Sequence, residues 1–361
     1  MNRSTRWLLA LSVLGALSLA ASAMAATPVT RTLQKSINVP AGGSIKLENL
    51  VGHMRVVTGT GPVQIDATVV AGGDQAQALA ESVKLDVSTS GTQTLVHVDY
   101  PVDRHDTFLY NPPDSTSGGS DEVCILGKLI CFHGRSSSDF RYQGKRVRVN
   151  QTSGGGSGTP LYVDVVVHLP ANVAGNFSNA AGLLDAEGLA NKLGLDTEGG
   201  DIHGQNLQGQ LDVGSDGGDV YLKNVASSQA RVHTGGGDFT GSTLSGDLNV
   251  ATGGGDARLS GALSALRSLD VETGGGDFNA TGDLAALTSL DIESGGGDIG
   301  MHVSGLSMHL DAASDGGDIG IHLPDMRNVN SSSGHFSCDL GKAVGTGTLR
   351  SGGGDITLTK P

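Results

Sequence analysis

A chain of 361 residues with 57 glycines, 4% aromatic residues and a formal charge of −14 presents a surface that repels nucleic acid and anionic lipid over most of its area. Glycine lies well above its usual share of about 7%. Because the glycines recur with a period and apolar residues alternate between them, the composition indicates a repeat fold and excludes a flexible linker.

The first segment, residues 1–25, carries Arg3 and Arg6 ahead of an apolar run from Trp7 to about Ala21 and ends in Ala23-Met24-Ala25. This is the pattern of a secretory signal peptide. The run is short for a membrane span, and no later stretch approaches the roughly 18 apolar residues that a span needs, so no mature transmembrane helix is expected. No cysteine lies near the cleavage site, which argues against a lipid anchor. Removal of 1–25 leaves 21 Lys and Arg against 37 Asp and Glu, a formal charge of −16. An exported location follows, either periplasmic or at the cell surface and beyond.

Residues 26–100 read as a β-rich N-terminal cap. Ser36–Leu50 suggests two strands about a Pro40/Gly42-Gly43 turn, Val63–Val70 and Leu95–Val98 suggest further strands, and Asp74–Glu81 suggests one short helix capped by Asp74. Residues 101–157 break the pattern with Pro112-Pro113, Ser/Gly runs and two of the three cysteines. In an oxidising compartment Cys124 and Cys131 are candidates for a disulfide. The same inserted loop segment, with Tyr100 at its edge, holds six of the twelve aromatics outside 1–25, and a group of basic residues. Phe108, Tyr110, Phe132, Arg135, Phe140, Arg141, Tyr142 and Arg146 are the candidate partner site. The competing reading makes the aromatics a local core and pairs the bases with the acidic stack.

Residues 158–361 carry the repeat: strand, glycine turn, strand. The turns close on Asp201, Asp219, Asp238, Asp256, Asp277, Asp298, Asp318 and Asp355, spaced by 18, 19, 18, 21, 21, 20 and 37. Ser333-Gly334-His335 is expected to hide a further unit in the last gap, Gly182-Leu183 to mark an earlier one, and Gly52-His53 an isolated copy. Within each unit apolar residues alternate, as in Leu211/Val213 and Val220/Leu222, which marks strands with one buried face. Two short strands cannot bury that face alone, whereas stacked copies enclose it. The predicted fold is therefore all-β, a parallel β-helix-like solenoid of about ten 18–21-residue rungs with a β-rich N-terminal cap, on the order of 50 Å long at roughly 4.8 Å per rung.

The glycines suit a corner that demands φ > 0 and close approach of neighbouring rungs. The turn aspartates have two readings: caps for turn amides, or a file of calcium ligands, since stacked carboxylates repel and a hard cation relieves this. Their spacing differs from that of the nonapeptide calcium roll. Outward positions Asp196, Asp212, Arg231, Asn249, Asp270, Asp291 and Asp311 are read as one file, either a ligand surface or a solvated face that blocks edge pairing. His302 and His322 are expected one rung apart with His309 nearby, a conceivable transition-metal site. Cys338 reads as a buried thiol.

The segment Asn49–Val56, the strand end Val167-His168-Leu169-Pro170 and the serial Gly-Gly-Gly-Asp turns together resemble the bacterial putative adhesin family of β-strand-repeat proteins. The resemblance covers the mature chain except 101–157 and implies a β-solenoid with an adhesin-like role, but that family is a domain of unknown function and assigns no residues. A carbohydrate-active β-helix enzyme would need a distinguished carboxylate pair, and every rung here offers the same Asp. The expectation is thus a non-catalytic, cofactor-free binding protein whose partner is a protein or a cell-envelope component. A structural spacer is the second hypothesis, and a carbohydrate-active enzyme the third.

Overall fold

The computed structural model describes residues 27–110, 116–119, 122–125, 130–133, 137–151 and 157–361. Residues 1–25 and most of the loop around Pro112-Pro113 lie outside these, as do the side chains of Cys124, Cys131, Phe132 and Arg135. Among the described residues there is one helix, Ala76–Ser82, and no helix long and apolar enough to cross a membrane.

Strands pair in parallel, rung on rung. One column runs from Ser44–Val51 through Ala174–Ala181, Leu193–Thr197 and Gln208–Ser215 into the second half of Val220–Thr234. The other runs from Met54–Gly59 through Leu184–Glu187 and Ile202–Gln205 into the first half of Val220–Thr234. Val220–Thr234 and Phe239–Thr252 turn a corner and serve both columns. Inward residues such as Leu195, Val213, Val232, Val250, Val271 and Ile292 form a continuous aliphatic core. This is a β-solenoid-like architecture, and it follows from the alternation that the sequence carries.

Glycine sterics trace the stacking order. A Cβ on Gly182 would overlap the carbonyl oxygen of Gly52, one on Gly200 that of Gly182, and the same relation links Gly218, Gly237, Gly255, Gly276 and Gly297 in turn. Gly182, which the spacing marked as an earlier unit, therefore lies on Gly52, and the copy that read as isolated is stacked directly on the repeat. The order then departs from the sequence. Gly354 lies on Gly297, and Gly317 lies on Gly354. Gly345–Ser351 and Ile356–Thr359 thus sit between the rung of Ser289–Ser294/Ile299–Ser304 and the rung of Met308–Ser314/Ile319–His322.

The expected unit at Ser333-Gly334-His335 is not a rung. Arg327–Ser332 and His335–Asp339 form an antiparallel hairpin, and His335–Asp339 runs antiparallel to Met308–Ser314. A two-strand excursion fills a 37-residue gap as well as a missing repeat does, which is why spacing alone misread it.

The N-terminal region continues the two columns by parallel pairing and then adds antiparallel strands outside them. Gln93–Asp99 pairs with Ser44–Val51 and Lys84–Ser90 flanks it; Thr159–Pro170 pairs with both Met54–Gly59 and Val63–Ala71, and Val29–Ile37 lies outermost. The helix begins after Gln75 without a side-chain cap, so Asp74 does not serve the role expected of it. Its last turn is held instead by the Arg31 guanidinium, which donates to the carbonyls of Ala80 and Val83 at 2.9 and 3.1 Å. Within the inserted segment, Ser137–Tyr142 and Lys145–Gln151 form a hairpin, and Lys145–Gln151 runs parallel to Thr107–Tyr110.

Candidate binding face

Three features of the stack bear on function, and the turn aspartates are the first. Each Oδ1 accepts the backbone N–H of the Asp in the neighbouring rung: Asp201 from Asp219 at 2.9 Å, then Asp219 from Asp238, Asp238 from Asp256, Asp256 from Asp277 and Asp277 from Asp298, all at 2.8 Å. The ladder follows the physical order of the rungs, from Asp298 to Asp355 and from Asp355 to Asp318. Asp164 does the same for the amide of His53 at 2.8 Å, and burial raises its carboxyl above the usual range. One oxygen of these carboxylates is therefore part of the backbone hydrogen-bond system. The second oxygen of Asp219 accepts from the Tyr221 hydroxyl at 3.0 Å, and Arg258 bridges the second oxygens of Asp238 and Asp256.

A buried file of hydroxyls backs this ladder. Thr197, Thr234, Thr252 and Thr273 donate to the carbonyls of Gly200, Gly237, Gly255 and Gly276 at 2.6, 2.6, 2.6 and 2.7 Å. Where serine replaces threonine, as at Ser294 and Ser351, the hydroxyl accepts the N–H of Gly297 or Gly354 at 2.8 Å and donates to the carbonyl of the rung below. Asn179 takes the same place in an early rung, donating to the carbonyl of Gly52 at 2.8 Å while its oxygen accepts from Asn49 at 2.9 Å. The sequence reading missed this file, although a Ser or Thr stands four residues before each turn aspartate.

The second feature is the outer face of the first column. Asp212, Arg231, Asn249, Asp270, Asp291, Thr348 and Asp311 stand in register, one per rung. Asp196 does not belong to this file. It pairs with Gly214 and heads a parallel one, followed by His233, Ala251, Glu272, Glu293, Arg350 and Ala313. Asn249 donates to Asp270 across rungs at 2.7 Å.

Where Gly194 and Gly214 leave the early rungs bare, the face sinks into a trough of about 430 Å³ lined by Lys46, Asn176, Asp196 and Asp212 among others. Burial, then the proximity of Asp216, raises the Asp196 carboxyl; Lys46 opposes this and Asp212 adds to it. Burial and Asp216 likewise raise Glu198. Lys46 itself is paired with Glu48 at 2.6 Å.

The third feature is the inserted segment, where four of the candidate partner-site aromatics turn inward. Phe108, Tyr110, Phe140 and Tyr142 are buried at 0–6% exposure and belong to the core. Tyr100 packs edge-on against Phe108 and Tyr142, and the Tyr142 hydroxyl donates to the Val98 carbonyl at 2.6 Å. Burial pushes the phenols of Tyr100, Tyr110 and Tyr142 well above the usual range. Arg146 and Arg148 both bind Asp139, at 2.7 and 2.8 Å, and hold its carboxyl down to about 2. Lys145 pairs with Asp103 at 2.6 Å. Arg141 is exposed, while Phe132 and Arg135 lie outside the described side chains. A β-hairpin that adds strands to the N-terminal region must bury one face, and the aromatics supply it.

The histidines are also rearranged. Thr359 stands between His302 and His322, so they lie two rungs apart, and His302 contacts Thr359 at 3.0 Å. His309 pairs with Asp339 at 2.8 Å. Elsewhere Asp185 contacts both His53, at 2.7 Å, and His203, at 3.5 Å; burial lowers His203 despite this carboxylate. Among the described residues no group of three or more His, Cys, Asp or Glu has a metal-holding arrangement. Cys338 is buried and unpaired, as expected. The backbone register sets Cys124 directly opposite Cys131.

Residues 165–359, more than half of the chain, match the Toastrack DUF4097 family. The chain belongs to that family. No curated protein matches it. Among solved structures, a putative adhesin from Bacteroides fragilis shares 14% identity over 92% of this chain and 97% of its own, with a TM-score of 0.37. A putative cell adhesion protein from Clostridium sporogenes shares 10% over 92% and 100%, TM-score 0.26. A putative lipid binding protein from Parabacteroides distasonis shares 10% over 91% and 96%, TM-score 0.30.

Proposed function

We propose that this Toastrack DUF4097 protein is an exported, non-catalytic binding protein, adhesin-like or envelope-associated, that contacts its partner through the outer face of the first column. The observation that carries the reading is the register: Asp212, Asp270, Asp291 and Asp311 project from one column, with Arg231, Asn249 and Thr348 in the same file on the rungs between them. An array of polar groups, one per rung and mostly acidic, suits many weak contacts with a repetitive surface, where avidity builds without a single strong site. No carboxylate pair stands out from the array as a catalytic dyad would. Export rests on the pattern of residues 1–25.

A spacer role is the second reading, favoured by the way the turn aspartates are spent on the backbone ladder. The test is retention of the mature protein on washed envelope fractions. The combined Asp212→Asn, Asp270→Asn, Asp291→Asn and Asp311→Asn variant should lose most of the retention, and Arg141→Ala should lose none. Equal retention of wild type and the fourfold variant refutes the face; failure of the wild type to bind any fraction leaves the spacer.

A further inference from the structure

The rung formed by residues 345–359 is held between two rungs that are consecutive in sequence. On one side Ile299 donates its N–H to the carbonyl of Asp355 at 2.8 Å, and the Asp355 amide donates to Asp298. On the other, Ile356 donates to the carbonyl of Asp318 at 2.9 Å, and the Asp318 amide donates to Asp355. The inward positions align through all three rungs: Leu290, Gly347 and Leu310; Ile292, Leu349 and Ala312; Ser294, Ser351 and Ser314. Asp298 and Asp318 are 20 residues apart, an ordinary repeat of this chain. The two walls of the slot thus share a phase and would remain in phase without the insert.

What joins the insert to the preceding chain is short and bent. Residues 340–344 turn back over Ser307, whose carbonyl accepts the N–H groups of Val344 and Gly345 at 3.1 Å. Ala343 sits at φ 50°, a left-handed conformation that costs a Cβ-bearing residue energy. Val344 beside it is 70% exposed. Short strained connectors favour exchange of the element they hold, because straightening the connector releases the strain while every contact of the element is remade in the partner.

We propose that residues 345–359 form an exchangeable rung, and that two copies of this chain trade it to give a reciprocal dimer. The occupant of the slot is fixed by its present one. The segment matches both walls in hydrogen-bond register, and a second copy carries the same segment. The exchange requires both ladders of the rung to open, so it is slow at rest and speeds up just below the melting temperature.

The test uses two full-length single variants, Asp291→Cys and Thr348→Cys. Asp291 in one wall of the slot and Thr348 in the insert are register partners across a single ladder, at a spacing that a disulfide spans. Each variant is first checked for a wild-type circular dichroism spectrum and melt. The two are mixed at high concentration, warmed below the melt, cooled and oxidised. A disulfide-linked heterodimer of the two variants is expected, its yield rising with concentration and falling several-fold when Ala343→Gly is added to both. Asp212→Cys mixed with Thr348→Cys is the collision control, since Asp212 lies many rungs away. Yield no greater than in that control, at any concentration, overturns the proposal.

Discussion

Replacing Asp277 separates the two readings of the aspartate file. Its Oδ1 accepts the Asp298 amide at 2.8 Å, and its own amide donates to Asp256 at 2.8 Å. Asp277→Ala deletes a charged acceptor and leaves the Asp298 N–H to solvent. A hydrogen bond to a charged group contributes about 1.5–3 kcal/mol, and the half-exposed corner brings the expected loss to the low end, about 1–2 kcal/mol. Asp277→Asn keeps an acceptor oxygen. It weakens the bond but removes repulsion from two carboxylates one rung away, each worth somewhat under about 1 kcal/mol in water, so the net change is within about 0.5 kcal/mol. Calorimetry should show a fall of roughly 2–4 °C for Ala and under about 1 °C for Asn. The melts are run with calcium and with chelator. If Asn destabilises as much as Ala, and calcium raises the wild-type melt but not that of the Asn variant, the carboxylates hold a cation and the turn-cap account fails.

Three further outcomes follow from the same structure. Gly275 faces open space, whereas a Cβ on Gly276 would overlap the Gly255 carbonyl; Gly275→Ala should melt like wild type, and Gly276→Ala should lose several degrees or fail to fold. Tyr100, Tyr110 and Tyr142 have phenols raised by burial. Because the folded value exceeds the unfolded one, their contribution is complete below about pH 10 and is lost as pH rises above it; ultraviolet titration should show them ionising only with unfolding, and a smooth titration of all five tyrosines near 10 would contradict their burial. For the cysteines, alkylation of denatured protein purified without reductant should modify one thiol, and three after reduction. Three before reduction would rule out a Cys124–Cys131 bond.

The alternation of Leu211/Val213 and Val220/Leu222 and the spacing of the turn aspartates made the strand-turn-strand unit legible, and the Gly52 turn could be noticed as a copy though not placed in the stack. Stacking order was not legible. Nothing local distinguishes a rung laid on its predecessor from one inserted below it, so the place of residues 345–359 emerges only from long-range pairing. The same limit explains Asp196, whose column depends on register with Gly214, and His302 and His322, which Thr359 separates. For the aromatics of 101–157 the sequence left a partner site and a local core both open, because burial of Phe140 and Tyr142 depends on which face of their hairpin meets the rest of the N-terminal region.

The inserted rung also governs how the molecule bears a mechanical load. A pull on a terminal rung peels one ladder, bond after bond. A pull transmitted through Pro361 instead reaches a rung gripped along both edges, by Ser289–Ser294 and Ile299–Ser304 on one side and Met308–Ser314 and Ile319–His322 on the other. Two ladders must then yield together, so a tether attached there meets a clamp and not a zip.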